Sequence, residues 1–307
     1  MALSEKPVEM GEKRDASAAA RVLLIGNGHV TDGRIEDALT GLHCPFARAA
    51  GSADALRQLR ETPYAVVITD PDTSVYEDLA LVGEIRRVRP GVRVIVLAPG
   101  ATPEELIEAL RQRVFLCQCE PFNAREIARY AASAIEADDS AAGIEVLSAN
   151  RDWISMQMNC QLLNADRLTA FFNQFQMTLP DRPPQEMLIA FQEILNNAIE
   201  HGAQLDPSKV VHVAAVRTER AFVFYIEDPG KGFRRDDLAH AAISYAPDEM
   251  TRHFEVRERS GMRAGGYGIL LASGIVDELI YSEVGNEVLL IKHMPAVESQ
   301  WPNLPVS

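Results

Sequence analysis

Three groups of residues in this chain combine types and spacings that could do chemistry. In Phe191-Gln-Glu-Ile-Leu-Asn-Asn-Ala-Ile-Glu-His-Gly202, Glu193, Asn197 and His201 recur every four residues, which sets side chains one helical turn apart on one face. A carboxylate there can take a proton from an attacking hydroxyl or water. A carboxamide oxygen one turn away can hold a hard cation such as Mg²⁺, and Asn196 is its neighbour. In Asp228-Pro-Gly230-Lys-Gly232, the glycines let backbone approach a flat or anionic ligand. A buried aspartate can accept a hydrogen bond from an exocyclic amine such as that of adenine. Gly265-Gly266-Tyr267-Gly268 opens an apolar helix, an arrangement in which backbone N–H groups and the positive helix end cradle phosphate. Each group alone also has an ordinary structural reading, as a solvated helix face, a turn or a loop.

The elements that must position these groups follow from apolar periodicity. Leu188, Phe191, Leu195 and Ala198 form an apolar stripe, with Pro183 and Pro184 upstream and Gly202 at a left-handed stop. Asn164 to Asp166 read as the cap of a helix running from Arg167 to about Gln176. Residues 153–160, 210–216 and 221–227 read as strands, the last leading directly into Asp228. Residues 234–264 are polar and charged, with Arg252, Arg257, Arg259 and Arg263 among them, and lack periodicity, the mark of a functional loop or lid. A helix at 270–276 and a hairpin at 279–292 around Gly285-Asn286 follow.

Upstream, short apolar strands at 21–25, 46–49, 64–70, 92–97 and 114–117 alternate with helices at 35–42, 53–59, 79–88, 103–113 and 124–137. This order implies a doubly wound parallel five-stranded sheet. The chain therefore divides into a tail at 1–20, a first domain at 21–137, a linker at 138–144, a second domain at 145–297 and a tail at 298–307.

Bulk properties narrow the function. A length of 307 residues allows two domains with real cores. An apolar fraction of 47% and a charged fraction of 24% are those of a soluble globular chain. A net charge of −14 argues against nucleic acid and anionic membrane as general partners. There is no signal-peptide pattern and no apolar run of membrane-spanning length, so a cytoplasmic location is expected. The cysteines Cys44, Cys117, Cys119 and Cys160 lack paired metal spacing and read as reduced thiols.

Residues 21–136 resemble the receiver domain of response regulators. Asp70 stands at the family's phosphoaccepting aspartate, and Glu120-Pro121-Phe122 matches its Lys-Pro-Phe signature. The departures are chemical. Gly26 and Asn27 replace the Mg²⁺-binding acids, Ala98 the hydroxyl residue, and Glu120 the lysine. Phosphorylating Asp70 requires cations to offset the charge gathering on it, so the resemblance implies a pseudo-receiver for protein interaction or dimerisation.

Residues 145–297 resemble the Bergerat, or histidine kinase-like, ATPases. Glu193xxxAsn197 matches the N box, Asp228xGly230xGly232 the first glycine box and Gly265-Gly266-Tyr267-Gly268 the second. The resemblance implies an α/β sandwich whose mixed sheet is covered by helices on one face. None of the seven histidines lies in a paired-helix phosphoacceptor segment ahead of these boxes. Glu193 and the compact order are most similar to the anti-sigma-factor serine kinases. That likeness implies ATP and Mg²⁺ as cofactors, a serine or threonine on an anti-sigma antagonist as phosphoacceptor, a sigma factor or two-component protein as further partner, and a homodimer. In it Glu193 is the catalytic base, Asn197 the metal ligand and Asp228 the adenine reader. Asn196, His201, Gly230, Gly232, Gly265, Gly266, Tyr267 and Gly268 line the nucleotide. The alternatives are a non-catalytic ATP-binding regulator and an atypical histidine kinase-like protein.

Overall fold

A computed structural model describes residues 22–26, 30–137, 143–179, 181–233 and 267–294. The first domain alternates strands and helices: β1 Val22–Ile25, α1 Val30–Gly41, β2 Phe46–Ala49, α2 Ser52–Glu61, β3 Val66–Ile68, α3 Val75–Val88, β4 Arg93–Ala98, α4 Pro103–Arg111, β5 Leu116–Cys119 and α5 Ala124–Glu136. All its pairings are parallel, in the order β2-β1-β3-β4-β5. This is a doubly wound order whose switch point lies between β1 and β3. Helices cover both faces, so β1 is apolar throughout and its four residues are all buried. Ser74 with Glu77, and Thr102 with Glu105, close reciprocal capping boxes at the starts of α3 and α4.

β5 begins two residues later than apolar content alone predicts. Val114 and Phe115 are buried while still in the lead-in to the strand. Asp70 follows β3 at the carboxyl edge of the sheet.

The second domain contains β6 Ile144–Ala149, β7 Trp153–Asn159, α6 Leu162–Met177, α7 Glu186–Asn197, β8 Val210–Arg217, β9 Ala221–Glu227, α8 Gly268–Ile275, β10 Glu278–Tyr281 and β11 Glu287–His293. The sheet order is β10-β11-β9-β8-β7-β6. Its connections are mixed, with hairpins at β6–β7, β8–β9 and β10–β11 and longer crossovers between them, while every described ladder is antiparallel. In β9, buried and half-buried residues alternate strictly, as in a sheet packed on one face. Phe222, Phe224 and Ile226 point into a core shared with Phe172 of α6 and Phe191 of α7. The Phe191 and Phe224 rings lie 4.2 Å apart and those of Phe172 and Phe191 5.3 Å apart. Such aromatic pairs pin α7 to the sheet.

Two local expectations are corrected. α6 begins at Leu162, so Asn164 and Asp166 lie inside the helix rather than capping it. Asn164 is wholly buried, and its amide donates to the Asn159 carbonyl oxygen. Gly202 is not a left-handed stop. α7 runs into a π-helical turn, Ala198–Gly202, and the left-handed residues are Gln204 and Leu205, at φ 61° and 56°.

The two domains share apolar surface. Leu106, Ile107 and Leu110 of α4 enter the same cluster as Ile144 of β6 and Phe171 of α6. Around it, the Cys119 N–H donates to Gln174 Oε1 at 3.1 Å, and the Tyr130 hydroxyl donates to the Asp166 carbonyl oxygen at 3.1 Å.

Candidate functional site

The site is built along α7 and the turn that follows it: Glu193 and Asn197 meet the start of α8, and Gly202 meets the end of β9. Phe191 anchors one face of α7, which leaves Glu193 and Asn197 half-exposed on another. The first residue of α8 closes directly onto both. A Cβ on Gly268 would stand 2.9 Å from Glu193 Oε2 and 3.3 Å from Asn197 Nδ2. Ala272, one turn further along α8, is fully buried in the shared core and holds this approach in place.

A second cluster forms around Asp228. The Gly230 N–H donates to Asp228 Oδ1 at 2.7 Å. A Cβ on Gly202 would lie 2.2 Å from the same oxygen, and one on Gly230 would lie 2.6 Å from it and 2.8 Å from the Gly202 carbonyl oxygen. Both glycines are therefore needed for the backbone to close around the carboxylate. Burial pushes the Asp228 carboxyl up from its ordinary value, the Gly230 N–H offsets part of that, and Glu227 adds to the rise. The Asp228 N–H donates to the Asn286 carbonyl oxygen at 2.9 Å, tying the end of β9 to the β10–β11 turn.

The other expected residues are placed as follows. The π-helical turn adds a residue to the helical repeat after Asn197, so His201 leaves the Glu193–Asn197 row and is exposed. Gly232, at φ 72°, faces the turn: a Cβ there would lie 2.0 Å from the Val284 carbonyl oxygen. Its glycine is required by packing in the fold. Tyr267 immediately precedes α8 and is 38% exposed. Gly265, Gly266 and the expected lid at 234–264 lie outside the described residues. Asn196 Oδ1 is shielded from solvent and has no hydrogen-bond partner. Gly202 and Asn286 belong to the Asp228 cluster, yet their types carry no distinctive signal; Gly202 reads equally well as a helix end.

The donor set fits a nucleotide with a hard cation. It offers carboxylate and carboxamide oxygens, a half-buried carboxylate acceptor, a shielded and unpartnered amide oxygen, and a helix start whose space a side chain would fill. Among the described residues, no three His, Cys, Asp or Glu side chains cluster to hold a metal ion. Any Mg²⁺ would thus take few protein ligands, as this ion commonly does when it is shared with phosphate oxygens.

At the carboxyl edge of the first domain's sheet, Asp70 is half-exposed and accepts a 3.1 Å hydrogen bond from the Asp72 N–H. Ala98 is fully buried, and the exposed Glu120 donates its N–H to the Ala98 carbonyl oxygen at 3.2 Å. This edge carries a methyl group and a carboxylate where phosphoryl chemistry would need a hydroxyl and a cation.

Comparison with known proteins extends this picture. Residues 148–292 match the model of the histidine kinase-like ATPase domain. An anti-sigma F factor from Anoxybacillus flavithermus (strain DSM 21510 / WK1) is 32% identical over 130 residues, covering 41% of this chain and 80% of that protein. Solved receiver structures resemble the first domain. A CheY-like receiver domain protein from Methanospirillum hungatei JF-1 is 16% identical, with 39% of this chain and 95% of that one covered at a TM-score of 0.35. A response regulator from Thermotoga maritima is 19% identical, with 39% and 99% covered at a TM-score of 0.35. No helix among the described residues is long and apolar enough to cross a membrane.

Proposed function

We propose that this chain, which belongs to the histidine kinase-like ATPase family, binds ATP with Mg²⁺ and phosphorylates a serine or threonine on a protein partner. The reading is carried by the approach of Gly268 to both Glu193 Oε2 and Asn197 Nδ2, within 3.3 Å of an added Cβ. This nearness supports reading Glu193 as a base and Asn197 as a hard-oxygen ligand beside a helix N-terminus.

When bound, Mg²⁺-ATP supplies the phosphoryl group and a cation that offsets charge developing on it. Glu193 accepts the proton of the incoming hydroxyl. Asn197 presents its amide oxygen to the cation, with Asn196 beside it. Asp228 accepts a hydrogen bond from the adenine amine, and the Gly230 N–H, donated at 2.7 Å, holds that carboxylate in register. Gly265, Gly266, Tyr267 and Gly268 offer backbone N–H groups to phosphate, and His201 and Gly232 flank the site.

We take an anti-sigma antagonist as the first candidate phosphoacceptor, with a sigma factor or two-component protein as a further partner, a reading in keeping with the anti-sigma F factor relative. In this reading the protein works as a cytoplasmic homodimer, with a receiver-like domain that does not itself accept phosphate.

Incubation with labelled ATP, Mg²⁺ and antagonist proteins encoded nearby tests the proposal. Label on the partner should survive acid, as phosphoserine does. Asn197→Ala should lose nucleotide binding in a calorimeter. Glu193→Ala should keep binding and lose about a hundredfold or more in turnover. Wild-type binding by Asn197→Ala would overturn the site, and acid-labile label would move the chemistry to histidine.

A further inference from the structure

We infer that the groove between α6 and α7 is a docking site for an extended, basic peptide segment of a protein partner. It lies apart from the Asp228 cluster and does not depend on phosphoryl transfer.

The groove consists of two clefts of about 450 and 310 Å³ that share Asn173, Gln185 and Glu186. Their sizes are in the range of ligand sites. Along α6, Asp166, Thr169, Asn173 and Gln176 follow at steps of three, four and three, so they form one polar row.

Two members of that row are chemically incomplete. Thr169 Oγ1 and Gln176 Nε2 are shielded from solvent without a hydrogen-bond partner. Gln176 is only 3% exposed, and it lines the smaller cleft. A buried amide donor left unpaired costs free energy that an apolar side chain would not. The donor is explained if the Gln176 side chain turns into the smaller cleft, which it lines, to meet an acceptor there, and a peptide carbonyl is the commonest such acceptor.

The spacing fits an extended segment. Thr169 and Gln176 are seven residues apart, about 10 Å along the helix, which is roughly three residues of extended chain. The ends differ in charge. At the wide end, Glu126 and Asp166 stand with one arginine, Arg129, whose side chain is 60% exposed; Glu186 lies where the clefts join, and Arg182 lines the smaller cleft. Asp166 is held there by Gln192, whose amide donates to Oδ1 at 2.9 Å. A basic side chain therefore belongs at the wide end and a main-chain carbonyl at Gln176. Ile189 and Met177, 49% and 44% exposed, offer apolar contact beside the row. Because α5 supplies Glu126 and Arg129, both domains build the groove, and α7 links it to Glu193.

The test titrates the full chain with two blocked alanine pentapeptides, one carrying a central arginine and the other a central glutamate, while following side-chain amide resonances by NMR. The arginine peptide should shift the amide signals of Gln176, Asn173 and Gln185, and the glutamate peptide should not. Gln176→Leu should weaken the arginine peptide about tenfold and leave the melting temperature unchanged or higher. Thr169→Val should weaken it less, with the fold intact. The inference is overturned if neither peptide shifts these signals, if both bind alike, if the shifts fall elsewhere, or if Gln176→Leu lowers the melting temperature, which would show that Gln176 serves the fold.

Discussion

Arg167 of α6 donates from Nε to the Phe115 carbonyl oxygen at 2.8 Å, and its guanidinium lies 4.4 Å from the centre of the Phe115 ring. One side chain of the second domain thus satisfies the backbone of the first and stacks on it. Arg167 is 5% exposed and also donates to Asn164 Oδ1 at 2.9 Å. Burial pulls its guanidinium down to about 10. Arg167→Ala leaves the Phe115 carbonyl and the Asn164 amide oxygen without this donor, at a cost of about 2–4 kcal/mol. Because α4 and α6 share one apolar cluster, the domains should unfold together in the natural chain. Calorimetry should show that joint transition separating into two in Arg167→Ala. A single transition at the original temperature would mean that the contact contributes little.

Gly268→Ala should harm the site more than the fold. The added Cβ meets the far end of the Glu193 side chain at 2.9 Å and Asn197 Nδ2 at 3.3 Å. Both side chains are half-exposed and able to swing aside, so the melting temperature should change by a few degrees at most. The displacement takes the base and the amide out of register, and misplacement of about 1 Å commonly costs about a hundredfold in rate. Nucleotide binding and turnover, measured beside thermal unfolding, check this split. Gly202→Ala should do the reverse. Its Cβ would stand 2.2 Å from Asp228 Oδ1 in a packed turn, so stability should fall along with binding.

Asp78 makes stability depend on pH. It is 2% exposed, with Oδ2 2.7 Å from the Thr69 hydroxyl and Oδ1 2.8 Å from that of Thr73. Burial drives its carboxyl up to about 6, the two hydroxyls offset part of that rise, and Asp70 and Glu77 add repulsion. A carboxyl raised in the folded state binds its proton more tightly there than when unfolded. Its stabilising effect is complete below about pH 4 and disappears as pH rises through about 6, amounting to about 3 kcal/mol. Denaturant midpoints measured from pH 4 to 7.5 should fall more steeply in the natural chain than in Asp78→Asn. Parallel slopes would show that other groups carry the dependence.

Much of the fold was legible because apolar content and period report burial. β2 and β9 fall on the ranges their residues predict, and the parallel five-stranded sheet follows from apolar runs that need cover on both faces. β6 was not legible. It is an edge strand broken by an irregularity between Val146 and Ser148, mostly exposed, and its one fully buried residue, Ile144, packs in a cluster with α4 of the other domain. The shift of β5 has the same origin, since Gln118 is buried beside Gln174, a partner far away in sequence. At the site, the spacing of Glu193 and Asn197 was readable from helical period. The approach of Gly202 to Asp228 was not, because it depends on a π-helical turn that no residue type announces.

Asp70 should remain unmodified by acetyl phosphate and Mg²⁺. Its surroundings decide this more than its position does. Among the described residues, the Asp72 N–H donates to Asp70 Oδ1 at 3.1 Å. Across the sheet edge the chain presents the methyl group of Ala98 and the carboxylate of Glu120, joined through a backbone hydrogen bond of 3.2 Å. A phosphoryl group adds negative charge, and here it would meet Asp72, Asp78 and Glu120 without the hydroxyl and ammonium that stabilise it elsewhere. Intact-protein mass spectrometry after incubation should show no phosphoryl addition, whereas a mass increase removed by Asp70→Asn would restore phosphotransfer to this domain. Restoring the chemistry should take more than one change. Glu120→Lys supplies the cation but not the hydroxyl, so that variant alone should gain at most a trace of label, and Glu120→Lys with Ala98→Thr should gain more.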